Sequence, residues 1–254
     1  MESIVFGKAI TTAVILMLAG NCLANEVDER ETHPDTQSAK VVSLLKKIVP
    51  ALKINSVRGT PVAGVEEITF VDGQRIYSIN GTEYFIRGEL YKVSDEGVAN
   101  ITEEAQKGVR IEMLKSVEPG DMITYSPKGE KKREITVFTD TDCGYCQKLH
   151  QEVPALNAMG VEVRYLAFPR GGPLSATAGD LSSAWCSSDK QDALNKLKSR
   201  EKIPSIECKD SPVADQYEMG IAFGVSATPA IVLPDGTLAM GYRSASDFKE
   251  VLGL

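Results

Sequence analysis

The sequence predicts an α+β chain of two unequal parts joined by a helix. Three observations predict it. Between residues 66 and 88, short alternating apolar runs meet at Asp72-Gly73 and Asn80-Gly81, strong hairpin signals that imply a meander sheet. From 134 onward, an apolar run, a helix opening at Cys143-Gly144-Tyr145-Cys146 and a second apolar run imply a strand–helix–strand unit with a right-handed parallel crossover. Near the C-terminus, Thr228-Pro229 precedes two strand-like runs on either side of Pro234-Asp235-Gly236.

The chain has 254 residues and a net charge of −7, with 43% hydrophobic and 25% charged residues. That balance is globular rather than disordered. The absence of a basic stripe argues against nucleic acid as a partner. Residues 1–24 read as a secretory signal. Lys8 precedes the apolar run 9–19, and Cys22-Leu23-Ala24 places small residues for cleavage after Ala24. A bilayer span needs about 20 apolar residues, more than this run supplies. Glu2 weakens the basic start, so an uncleaved anchor is the alternative; lipidation at Cys22 is disfavoured by Asn21. Residues 25–37 are polar and form a loose, flexible N-terminus.

Residues 38–49 then predict an amphipathic helix, with Val41, Leu44, Leu45 and Ile48 on one face and Pro50 ending it. Strands follow at 66–71, 75–79 and 82–88. So short a block (38–100) buries only a thin core, and its sheet edge offers a way to pair with a second copy. Over 101–117, Ala105, Val109 and Met113 recur at four-residue spacing, and Gly108 costs about 1 kcal/mol relative to alanine. This is a linker helix, or a helix packed on the second domain. Glu118-Pro119-Gly120 marks the boundary of a domain spanning 118–254. In it we expect a strand at 134–139, a helix at 143–159, a strand at 161–168, a helical stretch at 173–224, strands at 230–233 and 237–242, and a helix at 246–252. Two parallel strands, a helical insertion, a hairpin and a closing helix make a thioredoxin fold.

The chemistry centres on Cys143 and Cys146. A helix N-terminus favours a thiolate at Cys143, and the thiolate is the form that attacks disulfides. Cys146, one turn on, can close a ring and release a trapped partner. A zinc half-site is the competing reading, but structural zinc commonly takes two such pairs and this chain has one. No metal and no cofactor is expected. Of the chain's 5 cysteines, signal cleavage removes Cys22. With Cys143 and Cys146 paired by proximity, Cys186 and Cys208 are left as a structural disulfide contributing about 3 kcal/mol, or as a second redox pair. In thioredoxin-like proteins the proline before the hairpin is cis and faces the cysteine pair, and Thr228 would offer its backbone to an extended substrate. A trans turn proline is the alternative. Val137 stands where thioredoxin itself carries a buried Asp, so the site lacks that internal base. Asp142, beside Cys143, opposes thiolate formation unless it caps the helix. His150 reads as a structural histidine and Trp185 as core packing. With His33 the only other histidine, no Cys–His site can be assembled.

Three segments resemble the DsbC group of bacterial periplasmic disulfide isomerases. They are Thr139-Asp140-Thr141-Asp142-Cys143-Gly144-Tyr145-Cys146-Gln147-Lys148-Leu149-His150, Val163-Arg164-Tyr165-Leu166-Ala167-Phe168-Pro169-Arg170 and Gly224-Val225-Ser226-Ala227-Thr228-Pro229-Ala230. Gly236-Thr237-Leu238 with Gly241-Tyr242, and Ala184-Trp185-Cys186, continue the match. Gly144-Tyr145 fits DsbC better than the related DsbG, while Gln147 and Asp142 depart from the pattern. The resemblance implies a V-shaped homodimer with a cystatin-like dimerisation domain at 38–100, a linker helix at 101–117 and a catalytic domain at 118–254. It implies a periplasmic isomerase that acts on misoxidised or unfolded exported proteins, is kept reduced by a DsbD-like membrane protein, and doubles as a chaperone. Cys143 would attack and Cys146 resolve, Gly144 and Tyr145 would tune the ring, and Thr228 and Pro229 would hold substrate. A dithiol oxidase and a non-enzymatic chaperone are the competing functions.

Overall fold

The computed structural model describes residues 39–71 and 73–254. The expected signal peptide, Cys22, the polar stretch 25–37, His33 and Asp72 lie outside the described residues. The chain opens with helix α1 (Ala39–Ile48). Its inner face carries Val41, Val42 and Leu45, packed on Ile68, Phe70 and Ile76. Leu44 and Ile48, expected on that face, are exposed. The thin sheet covers little more than one helical row.

That sheet is a four-stranded antiparallel meander, β1 (Ile54–Gly59), β2 (Val65–Phe70), β3 (Arg75–Ile79) and β4 (Phe85–Ile86), in chain order. β1 had no clear alternation, and the expected 82–88 strand is reduced to two paired residues. A separate hairpin, β5 (Tyr91–Ser94) and β6 (Gly97–Asn100), follows without joining the sheet.

Asn100 then caps helix α2 (Ile101–Lys115), its side chain accepting from the Glu103 N–H at 3.0 Å. This helix is packed on the C-terminal domain. Met113, Leu114 and Val117 lie against a cluster that includes Phe138, Leu166 and Phe223. Arg110 is buried: its guanidinium pairs with Glu103 and donates to the carbonyls of Phe223 and Gly236 at 3.1–3.2 Å. Gly236 (φ +83°) comes so close that a Cβ there would lie 2.3 Å from the Lys107 carbonyl oxygen. Gly73 makes a similar approach to the Ile221 carbonyl, at 2.2 Å.

Past a 3₁₀ turn at Pro119–Asp121, the C-terminal domain runs β7 (Ile123–Tyr125), β8 (Arg133–Thr139), α3 (Gly144–Gln151), α4 (Val153–Ala158) and β9 (Val161–Ala167). It continues with α5 (Ala176–Trp185), α6 (Lys190–Lys198), α7 (Val213–Phe223), β10 (Ala230–Val232), β11 (Leu238–Met240) and α8 (Ala245–Val251). The sheet order is β11-β10-β8-β9-β7, with β8 and β9 parallel and the other pairs antiparallel. This is the expected thioredoxin fold, with an added edge strand, β7, too short to show alternation. The helix expected over 143–159 is broken at Glu152. Pro154 cannot donate a helical hydrogen bond and disfavours helical geometry in the residue before it.

Strand alternation sets the two faces. Ile135 and Val137 of β8, with Val161, Val163 and Tyr165 of β9, join a core with α3, α4, α5, α6 and α8 that encloses Trp185, Leu194 and Phe248. Phe138 and Leu166 point the other way, toward α7 and α2. Trp185 donates to the Asp121 carbonyl at 2.8 Å, consistent with its core role.

Candidate active site

The C-terminal end of β8 and the N-terminus of α3 meet at Cys143, which is itself the N-cap of α3. Its sulfur accepts from the Cys146 N–H at 3.3 Å, taking the place an oxygen cap usually fills. Both cysteines are free thiols, 4% and 1% exposed. Thr228 faces them from the loop before β10. Its peptide bond to Pro229 is cis, and its carbonyl oxygen lies 3.2 Å from Cys143 Sγ, within hydrogen-bond distance of the thiol. Residues separated by most of the domain thus form one site. Gly144 and Tyr145 sit on its rim, Tyr145 being 65% exposed.

Asp142 is exposed and does not cap α3. Its main chain is held instead: its N–H donates to Asp140 Oδ1 at 3.0 Å, and its carbonyl accepts from Arg170. Asp140 is buried at the end of β8. Its other carboxylate oxygen accepts from the N–H and the Nε of Arg170, both at 2.9 Å. A buried carboxylate therefore fixes a guanidinium against the main chain of Asp142, the residue before Cys143.

The electrostatics separate the two cysteines. Cys143 is pulled down to about 5, chiefly by its hydrogen bond with the Cys146 side chain, aided by the Cys146 N–H and the Arg170 charge, against burial. Cys146 moves the opposite way. Burial pushes it far up, and its hydrogen bond to Cys143 pushes further, with Lys198 pulling it back. The two thiols are driven in opposite directions, Cys143 toward the thiolate and Cys146 toward the neutral thiol.

His150 is half-buried on α3, bonded through Nδ1 to the Tyr165 hydroxyl (3.1 Å) and through Nε2 to Asn195 Oδ1 (2.8 Å). Burial lowers it to about 4, so it is neutral at physiological pH, a structural histidine. Cys186 and Cys208 are disulfide-bonded, with Cα atoms 6.3 Å apart, tying the end of α5 to the segment before α7. Among the described residues, no group of three or more Cys, His, Asp or Glu side chains could hold a metal ion. No helix among them is long and apolar enough to cross a membrane.

Sequence reasoning missed the functional setting of Asp140, Arg170 and Lys198. Asp140 and Arg170 lay within the quoted motifs, but nothing local said that they meet. Lys198 lies on the same helical stripe as Ala193, Leu194 and Leu197, which are buried with it, but nothing local said that its amine meets the end of β8.

Residues 119–254 match the family described as a thioredoxin-like domain, and residues 32–103 match the disulfide bond isomerase protein N-terminal domain. The chain is 37% identical over 201 residues to the thiol:disulfide interchange protein DsbC of Escherichia coli K12, covering 79% of this chain and 82% of that protein. It is 31% identical to the DsbC of Haemophilus influenzae, covering 96% of this chain and 97% of that one. The solved structure of Proteus mirabilis ScsC in a transitional conformation superposes with a TM-score of 0.50 at 15% identity, over 59% of this chain and 79% of that one, a likeness of fold alone.

Proposed function

We propose that this chain, which belongs to the DsbC family of thiol:disulfide interchange proteins, rearranges non-native disulfides in exported proteins. The observation that carries this reading is the placement of Cys143, whose sulfur accepts from the Cys146 N–H at the N-terminus of α3 and faces the Thr228 carbonyl. Cys143 attacks one sulfur of a wrong disulfide. The other sulfur leaves as a thiolate, and the substrate is held as a mixed disulfide. A second substrate thiolate can then attack the sulfur bound to Cys143, forming a new substrate disulfide and returning Cys143 unchanged. Alternatively Cys146 attacks Cys143, and the substrate departs reduced. A low thiol pKa suits both steps, because it favours the thiolate at neutral pH and makes Cys143 a good leaving group. Thr228 and Pro229 hold the substrate chain, and Gly144 and Tyr145 shape the rim.

The working form is a homodimer built through residues 38–100. Tyr84, Phe85 and Ile86 around β4, and Tyr91, Val93 and Val98 of the β5–β6 hairpin, are exposed apolar side chains that a second copy would cover. β4 is also an open sheet edge. We further assign the protein to the periplasm, after cleavage behind Ala24, with a DsbD-like membrane protein as its reductant and a chaperone role for the surface shared by the two copies.

The test is reactivation of scrambled ribonuclease by residues 25–254 in a glutathione buffer, with Cys143→Ala as control. Recovery that vanishes in the variant supports the isomerase. Oxidation of a reduced substrate without recovery from the scrambled one would move the assignment to a dithiol oxidase. Full recovery by the variant would leave only a chaperone.

A further inference from the structure

Lys198, the last residue of α6, is 5% exposed. Its Nζ reaches the end of β8, donating to Thr139 Oγ1 at 2.5 Å and to the Asp140 carbonyl at 2.9 Å. Both acceptors are neutral. Burying an ammonium without a carboxylate partner is costly. Two hydrogen bonds suit the neutral amine, and no partner for its lone pair is found among the described residues.

The titratable groups facing this nitrogen are Cys143, Cys146 and His150 of α3 and Asp140 at the end of β8, the last paired with Arg170. His150 is neutral. Burial lowers Lys198 to about 8, while its coupling to the cysteine pair and to Asp140 pushes it back up. A mixed disulfide abolishes the Cys143 charge. It therefore shifts Lys198 toward the free amine at the moment Cys146 must ionise.

We propose that Lys198 is the proton acceptor for Cys146 when that thiol resolves the mixed disulfide, and so sets how long a substrate stays bound to Cys143. This rests on the reading of Cys143 as attacking and Cys146 as resolving thiol. The Cys146 proton passes to the amine. The resulting thiolate attacks Cys143 Sγ, the Cys143–Cys146 bond forms, and the bond from Cys143 to the substrate sulfur breaks with its electron pair leaving on that sulfur. The departing thiolate is then protonated, from Lys198 or from water. The cysteine pair is oxidised and the substrate sulfur reduced. A slow transfer leaves time for isomerisation, and a fast one favours simple reduction.

The experiment uses reduced residues 25–254 and the aromatic disulfide 5,5′-dithiobis(2-nitrobenzoate), which releases one coloured thiolate on attack by Cys143 and a second on resolution by Cys146. In Lys198→Met the first release should keep its rate within about twofold. The second should slow about a hundredfold at pH 7, the usual scale of a lost general base, and rise steadily with pH where the wild type levels off below pH 8. Lys198→Arg keeps the charge but cannot accept a proton, and should resolve as slowly. Wild-type rate and pH profile in either variant would overturn the proposal. Loss of the first release in a folded Lys198 variant would also overturn it, whereas a first release that survives in Cys143→Ala would count against the assignment of Cys143. Should both variants fail to fold, the lysine Cε resonances of the wild type decide. Alkylating Cys143 should lower the Lys198 titration midpoint, and an unmoved midpoint would overturn the proposal.

Discussion

Trp185, Tyr165, Phe138 and Phe248 of the C-terminal domain are fully enclosed, whereas Tyr84, Phe85, Tyr91 and Val93 of the N-terminal part face solvent. The first region lays helices on both faces of a five-stranded sheet. The second has one short helix for four strands, and its core is Val41, Ile68, Phe70 and Ile76 with a few neighbours. The contrast is between a region that completes its core by itself and one that leaves the task to another surface. The catalytic half can hold its cysteines rigid without help, while the other half is built to associate.

The sharpest way to break that contrast is to charge the exposed face. Phe85→Asp with Val93→Asp should weaken self-association more than about a thousandfold, the scale of losing two apolar anchors from an interface. Sedimentation should then show a monomer that still reduces a small disulfide but no longer reactivates scrambled ribonuclease. A dimer of unchanged affinity would place the interface elsewhere. Next in size is α2, which belongs by packing to the self-sufficient half. Arg110→Ala leaves the Phe223 and Gly236 carbonyls and Glu103 without their donor, and should cost about 3 kcal/mol in denaturant unfolding. By the same logic residues 101–254 should unfold at higher denaturant than residues 118–254. Equal midpoints would make α2 a mere spacer.

The last test is the pH dependence of the self-sufficient half. The folded-state pKa of Cys143 lies near 5, below that of an ordinary thiol. The stabilisation that this ionisation gives the reduced protein is therefore full above the unfolded thiol pKa. It declines as pH falls and is gone below about 5. The melting temperature of the reduced protein, compared with that of Cys143→Ala, should show a gap that closes between pH 8 and pH 5. A gap that widens on acidification would contradict the depressed pKa.

What could be read in advance follows the same division. In the catalytic half, β8, β9, the hairpin and the cysteine pair announced themselves through long apolar runs and a motif whose spacing is its geometry. β7 did not, because three residues on a sheet edge carry no period. Nor did the break at Glu152, because a proline in the first turn of a helix is well tolerated and Pro154 by itself does not separate one helix from two. In the N-terminal part Asp72-Gly73 and Asn80-Gly81 located turns, but β1, β5 and β6 are weakly apolar, and their side chains include ones that none of the described residues covers. At the site, sequence placed Cys143 and Cys146 beside each other and Thr228-Pro229 by analogy. The meeting of Asp140 with Arg170, and of Lys198 with the end of β8, depends on a crossover and a helical insertion returning to the same point, which no local pattern encodes.

Trp185 is the only tryptophan in the chain, and it sits in the larger core next to the Cys186–Cys208 bridge. Emission excited selectively at tryptophan is therefore a probe of one half alone, blind to the meander sheet. Circular dichroism sees both. Two melting curves recorded on one sample would coincide only if the halves unfold together, so the spectroscopist can learn without any label whether they are thermodynamically one body or two.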